Sequence, residues 1–293
     1  MNRESRRNFV KVGFLSLLEA GCSRVKLCPQ PGRICDSIDQ FDQLGMLGRD
    51  EIIYKVLLTP ESPKRVSVNA PPWMALFPFI HCNGRFISLQ SSDGFLLSNG
   101  RSHTAFRIQG VVNSIHVNDS LNIVYALVRK GADQYSLVTF KLDGGIELKE
   151  IPLPQIREWA QLSSNENYIC IATEKQAHLI PQRNNGNSLV VELGNSEICP
   201  VNNSVVGLGD KKRVTVIDLG SRKTLFISSD IGSRPRWHST KPLICYQELN
   251  ILGWASALVV ANVLDQSTMS IDPIMPYKPP LYTWLRSIEK ITL

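Results

Sequence analysis

Three histidines stand beside large apolar residues at recurring places in the chain. His116 precedes Val117, His81 follows Ile80, and His238 follows Trp237. Imidazoles brought together from separate strands could ligate a metal ion or hold a ligand in a cleft. Arg234 and Arg236 precede His238 on the same segment and would add fixed positive charge. His81, His116, His238, Arg234 and Arg236 are therefore the candidate ligand-binding set, with the metal left unassigned. The favoured reading is the blander one, in which each imidazole hydrogen-bonds locally between neighbouring blades or points to solvent, because sequence alone does not show that they converge. No catalytic residue is assigned, because no Gly-x-Ser-x-Gly elbow, paired-carboxylate motif or phosphate-binding glycine loop is present. Gly207-Leu208-Gly209-Asp210 reads as a strand-to-strand turn, since no helix pattern follows it.

The seven cysteines add little chemistry. None shows the close Cys/His spacing of a zinc site. Cys28 and Cys35 could pair with each other, and Cys82 and Cys199 have no evident partner. Cys170 and Cys245 fall at equivalent points of a repeat and read as small core hydrophobes. Of the five tryptophans, those near the repeated apolar positions read as core rather than ligand surface.

These residues must be positioned by strands. Val124 to Val128, Leu137 to Leu142, Val190 to Leu193, Val214 to Leu219 and Ala257 to Val263 are β-branched or alternating runs flanked by turn residues. No long 3.6-residue apolar period follows the N-terminal region, so the chain reads as all-β. An apolar anchor, a polar turn and a new strand recur at Ile80, Val117, Leu162, Val201, Trp237 and Trp284, spaced 36 to 47 residues apart. That period is near the WD40-like blade length of roughly 40 residues. The expected architecture is a β-propeller of six blades, each of four antiparallel strands. The segments Glu51 to Leu58 and Arg65 to Val68 would join the last unit, so that N- and C-terminal strands close one blade.

The stretch Pro235-Arg236-Trp237-His238-Ser239-Thr240-Lys241-Pro242-Leu243-Ile244-Cys245-Tyr246 resembles the repeat of TolB-type six-bladed propellers. It keeps the proline, the tryptophan and the following strand, and replaces the Ser-Pro-Asp-Gly turn. Ser163-Ser164-Asn165-Glu166-Asn167-Tyr168-Ile169 is a second, worn copy. The resemblance implies architecture over residues 50–293 and says little about activity.

The N-terminal region carries an address. Ser5-Arg6-Arg7-Asn8-Phe9-Val10-Lys11 resembles a twin-arginine export signal, with Arg6, Arg7, Phe9 and Lys11 as its determinants. The apolar stretch from Val12 to Leu18 is too short to cross a bilayer, which takes about 20 apolar residues, and fits a cleavable signal. Ala20-Gly21-Cys22 resembles the lipobox of bacterial lipoproteins, with Glu19 departing from the pattern. The expected organisation is a signal peptide at 1–21, a lipid-anchor leader at 22–49 with Cys22 lipidated, and the propeller at 50–293.

Net charge is +6, with 43% hydrophobic and 20% charged residues, an ordinary globular composition. Arg3, Arg6, Arg7 and Lys11 against Glu4 and Glu19 account for two of those charges. The remaining cations are scattered, which argues against nucleic-acid binding. Two readings follow. The favoured one is an exported, periplasmic or outer-envelope lipoprotein, a monomer held to the membrane only by its lipid and binding an envelope protein, peptide or ligand. The alternative is an exported enzyme, a metal-dependent hydrolase or lyase with its site at the central channel. No cofactor is predicted beyond that channel metal.

Overall fold

The computed structural model describes residues 103–131, 134–156, 158, 160–182 and 187–271, together with five N-terminal strands and one C-terminal strand. Among them there is no α-helix, and no helix long and apolar enough to cross a membrane. The fold is a succession of antiparallel meanders. Strands β1 (Gln43–Leu47), β2 (Ile53–Leu57) and β3 (Lys64–Val68) share a sheet with β22 (Leu281–Leu285), in the order β22-β1-β2-β3. Strands β4 (Ile87–Ser91), β5 (Gly94–Ser98) and β6 (His103–Arg107) form the next. Strands β7 (Val111–Asn118), β8 (Ile123–Arg129), β9 (Tyr135–Lys141) and β10 (Glu147–Pro152) follow. Next come β11 (Gln161–Ser164), β12 (Tyr168–Ala172), β13 (Ala177–Pro181) and β14 (Leu189–Val191).

The last strands form one continuous sheet. It runs through β15 (Gly194–Ile198), β16 (Ser204–Leu208), β17 (Arg213–Asp218), β18 (Thr224–Trp237), β19 (Leu243–Leu249), β20 (Ala255–Asn262) and β21 (Thr268–Ile271). Its 14-residue strand β18 serves two meanders: residues up to Ile231 pair with β17, and Gly232 onward pairs with β19.

The sheet that joins the N-terminal strands to β22 differs from the one expected. Three of them, not two, accompany a C-terminal strand, and β1 falls within the stretch read as a leader. Trp284 sits on β22, paired with Leu44; the final segment expected as a strand lies outside the described residues.

The sheets stack face to face, which explains their continuous apolar strands. Alternate residues of a strand point to opposite faces, so a strand covered on both sides loses its polar alternation. In β8, Val124, Ala126 and Val128 pack with Phe95, Phe106 and Phe140, while Tyr125 and Leu127 pack with Leu162, Ile169 and Ile171 of the following meander. In β12, Ile169 and Ile171 face back, and Cys170 and Ala172 face forward to Ile198 and Val205. Trp237 joins Val206, Val214 and Tyr246 in the next layer. Phe95 stacks on Phe106 at 4.6 Å, and both meet Phe140 edge-on. Cys170 and Cys245 are buried free thiols in these layers.

A second repeat runs through the turns. Each fourth-strand turn sends one backbone N–H to the residue just before the second strand: Leu142 to Asn122, Gln182 to Asn167, Leu219 to Asn203 and Val263 to Pro242. Gly194 allows β15 to come against the preceding meander, since a Cβ there would meet the Glu174 carbonyl oxygen at 1.9 Å.

Candidate functional site

The turn after each first strand sets the register of the innermost residues. Asn118 Oδ1 accepts from Leu121 N–H (3.2 Å) and the Ser120 hydroxyl (2.8 Å). Asn165 Oδ1 accepts from the N–H groups of Asn167 and Tyr168, both at 2.9 Å. His238 Nδ1 accepts from Thr240 N–H and Lys241 N–H, both at 3.1 Å. Cys199 Sγ takes the same part toward Val201 and Asn202. Asn118 pairs with Ile123, and the Asn165, Cys199 and His238 N–H groups close their turns on Tyr168, Ser204 and Leu243. All four cap residues are buried. They are the equivalent positions of four successive meanders.

This register corrects the apolar anchors read from the sequence. Val117 and Trp237 do sit one residue before a cap. In the other two meanders that place belongs to Ser164 and Ile198, whereas Val201 is solvent-exposed in its turn. For Leu162 the mismatch arises because the turn after Asn165 closes on Tyr168, in fewer residues than the turn after His238, whereas Val201 lies inside the turn that Cys199 closes on Ser204. A fixed offset from an apolar residue cannot absorb that difference.

Aligned on the caps, the residues two places upstream are His116, Ser163, Glu197 and Arg236. Each of the first three reaches the backbone of the next meander just before its cap. The His116 ring bonds to the Ser164 backbone. Ser163 Oγ accepts from Ile198 N–H (3.0 Å), and Glu197 Oε2 lies 3.3 Å from Trp237 N–H. Four places upstream the pattern repeats: Ser114 Oγ accepts from Leu162 N–H (3.0 Å), and Gln161 Nε2 donates to the Ser196 carbonyl (3.3 Å). The caps themselves also cross over. Asn118 Nδ2 donates to Ser164 Oγ (2.9 Å) and the Asn165 carbonyl (3.2 Å). Asn165 Nδ2 donates to the Cys199 and Asn202 carbonyls at 3.2 and 2.7 Å. Side chains thus supply the rungs between innermost strands that backbone groups supply within each sheet.

The third crossing is different. Four places upstream, the backbone that would meet the rung is residue 235, a proline, which has no N–H to donate as Leu162 does in the first crossing. The cap of this third crossing is Cys199, which has no amide to donate. Here charge appears. Arg236 Nη1 lies 3.7 Å from Glu197 Oε2, and the Trp237 indole N–H donates to the Glu197 carbonyl at 3.0 Å. Burial pushes the Glu197 carboxyl up, against the opposing pull of Arg236 and the Trp237 N–H. His116 is held down to about 4, first by burial, with the positive charge of Arg236 adding to it and the Ser164 hydrogen bond opposing. Near neutral pH its imidazole is uncharged.

The structure therefore brings His116 and Arg236 into one electrostatic neighbourhood with Glu197, a residue the sequence reading passed over. Alignment on the polar cap rather than the apolar anchor would have found it. His238 goes to its turn, where Nδ1 is used by two backbone N–H groups. Arg234 is exposed at the bulge between the Ser233 and Arg236 pairings, with φ +50°. Arg6, Arg7, Phe9, Lys11, Cys22 and His81 lie outside the described residues. Among the described residues, no group of three His, Cys, Asp or Glu side chains is placed to hold a metal ion.

No protein-family model matches the chain, and no curated protein matches it. Solved structures similar to it include the WD40 repeats of RRP9, at 8% identity and TM-score 0.44, covering 56% of this chain and 52% of that one. The chain thus spans about half the length of those repeats. Another is the β-propeller domain of Cps50 (Swd1) from Myceliophteria thermophila, at 12% identity and TM-score 0.46, covering 69% of each chain.

Proposed function

We propose that this chain is an exported, lipid-anchored envelope β-propeller of six blades that binds a protein or peptide partner through its loops. The observation that carries the reading is the lattice of side-chain rungs. Ser114, Gln161, Ser163, Asn118 and Asn165 are spent on joining one meander to the next. Such a scaffold holds variable turns rigidly, which suits recognition. On the face that carries the cap turns, Leu121, Val201 and Leu264 are exposed in three different meanders. Scattered apolar residues on a rigid, polar-rimmed face suit a protein interface. The sheet joining β22 to β1–β3 supports closure of the ring by both chain ends. The Arg6-Arg7 signal and Cys22 support export and a lipid anchor.

The test is capture from envelope extracts by the immobilised full chain. A single recurrent protein should be retained, and Leu121→Ser with Val201→Ser and Leu264→Ser should release it. Equal capture by the triple variant would remove that face as the binding surface. Replacing Arg6 and Arg7 by lysine should leave the chain in the cytoplasm; continued export would refute the signal.

A second reading, an exported hydrolase or lyase, rests on His116, Glu197 and Arg236. A neutral imidazole and a carboxyl raised by burial, both under the influence of one guanidinium, are a set of groups able to exchange a proton with a ligand. Metal analysis of the purified chain that finds neither a bound ion nor binding on addition would end its metal-dependent form.

A further inference from the structure

Three half-buried polar side chains stand on the first strands of three meanders, each two places before its cap: His116 on β7, Glu197 on β15 and Arg236 on β18. The residues on either side of each are buried, so this level of the strand alone meets water. Ser163, at the same level of β11, is buried and spent on Ile198 N–H. β11 and β15 come between β7 and β18 in the succession of first strands, yet the charge of Arg236 reaches His116. The first strands therefore curve around a shared space, and these three side chains line it.

The groups left over in that space are hydrogen-bond acceptors beside one guanidinium. Glu197 Oε2 faces Trp237 N–H at 3.3 Å and Arg236 Nη1 at 3.7 Å. Among the described residues nothing donates to Glu197 Oε1. The bond between the His116 ring and the Ser164 backbone favours the protonated ring, so the ring N–H donates and the Ser164 carbonyl accepts. The second nitrogen of the uncharged imidazole is then an acceptor, and among the described residues nothing donates to it either. Neither acceptor is sealed from water. The 3.7 Å between Arg236 and Glu197 exceeds a direct charge-assisted bond, which spans about 2.7–2.9 Å. A hydroxyl oxygen about 2.8 Å from both would accept from the guanidinium and donate to the carboxylate at once.

We infer that this space binds a neutral polyhydroxyl ligand, a short oligosaccharide, through His116, Glu197 and Arg236. Charge selects that class. A cation would be repelled by Arg236, and an anion by the carboxylate of Glu197. Hydroxyl groups both donate and accept, so they match Glu197 Oε1, the imidazole nitrogen and the guanidinium together. The inference rests on the site of the second reading above and names its ligand; it requires binding and no turnover.

The full chain, with its histidine nitrogens isotopically labelled, is titrated with maltotriose, cellotriose and chitotriose, and separately with acetate and methylammonium. At least one trisaccharide should bind and shift the resonance of the His116 acceptor nitrogen, as expected of a nitrogen that takes up a hydrogen bond. Glu197→Gln should weaken that binding about tenfold in calorimetry, as a charged acceptor is replaced by a neutral one. Thermal unfolding checks that the variant is folded, and the wild-type resonance provides a reading that needs no variant. No His116 shift with any trisaccharide would overturn the inference. So would a shift with acetate or methylammonium alone, or binding that folded Glu197→Gln leaves unchanged. A trisaccharide bound and recovered intact would support the inference and count against the hydrolase or lyase reading. Turnover of another substrate, with His116 unmoved by all three sugars, would do the reverse.

Discussion

The two crossings from β7 to β11 and from β11 to β15 are held by neutral groups, whereas the crossing from β15 to β18 is held by charge. In the first two, serine hydroxyls, carboxamides and the uncharged His116 imidazole bridge at the cap and at positions two and four residues upstream. In the third, Pro235 removes a donor and Cys199 an amide, and Glu197, Arg236 and the Trp237 indole take their place. The same geometric problem is thus solved twice with different chemistry. A serine or carboxamide rung is short, buried and insensitive to salt or pH. A half-buried ion pair is weaker for its length, but it can respond to pH, ionic strength or a ligand. If the interior of this protein takes part in recognition or catalysis, the third crossing is where the physics allows it.

The comparison is broken most forcefully at Glu197. Glu197→Ala leaves Arg236 without its carboxylate and Trp237 N–H without its acceptor. We expect a loss of about 2–4 kcal/mol in urea unfolding. Glu197→Gln keeps an acceptor for the N–H and should lose about half as much. A loss below about 0.5 kcal/mol for the alanine variant would show that the charge holds nothing together.

Asn165 is the corresponding position in the neutral region. It caps its own turn and donates across the second crossing. Asn165→Ala should cost about 2–3 kcal/mol, because a cap and two carbonyl acceptors, the buried one of Cys199 among them, are affected together. Asn165→Asp keeps the cap and loses the donors, and should fall between. The deficit at Asn165 should be the same at low and high salt, whereas the deficit at Glu197 should shrink as salt rises.

His116 sharpens the contrast through pH. Its ordinary value of 6.5 falls to about 4 in the fold. As pH drops below about 6.5 the unfolded chain takes up the proton first. The stability that the neutral ring contributes is therefore complete above about 6.5 and is lost progressively down to about 4. The loss should amount to about 2–3 kcal/mol across that window. Glu197 works in the opposite sense, because its raised carboxyl is protonated in the fold before it is in the unfolded chain. The difference between the wild type and His116→Gln isolates the histidine. It should vary with pH in that window, and a flat difference would contradict the burial argument.

The smallest effect is expected at Cys199. Cys199→Ser keeps an acceptor for the Val201 and Asn202 N–H groups in almost the same volume. The change should lie within about 1 kcal/mol. A large loss would mean that the sulfur is needed for packing against Val206 and Val214 rather than as a cap.

Much of the sheet structure was legible. The apolar runs of β8, β9, β17 and β20 marked their strands because burial on both faces leaves no polar alternation to confuse the reading. The period of the turns pointed to repeated meanders. The candidate site was only half legible. His116 and Arg236 were read as inward-facing, and they share one neighbourhood with Glu197. His238 was read as their equal because it too stands beside an apolar anchor. His116 lies two places before its cap, whereas His238 is the cap itself and is used by its own turn. Glu197 was missed because its register follows from Cys199, a cap that does not look like one. The crossings themselves leave no hydrophobic trace, since they are made by serine, glutamine and asparagine, residues that usually signal a loop.

The central claim is that side chains, not backbone groups, join consecutive innermost strands. Amide hydrogen exchange of Leu162, Ile198 and Trp237 tests it most directly, because these N–H groups face Ser114 Oγ, Ser163 Oγ and Glu197 Oε2. The account predicts protection close to that of strand interiors, with Ser163→Ala speeding exchange at Ile198 while Leu162 stays protected. Fast exchange at all three amides in the wild type, unchanged by Ser163→Ala, would contradict it.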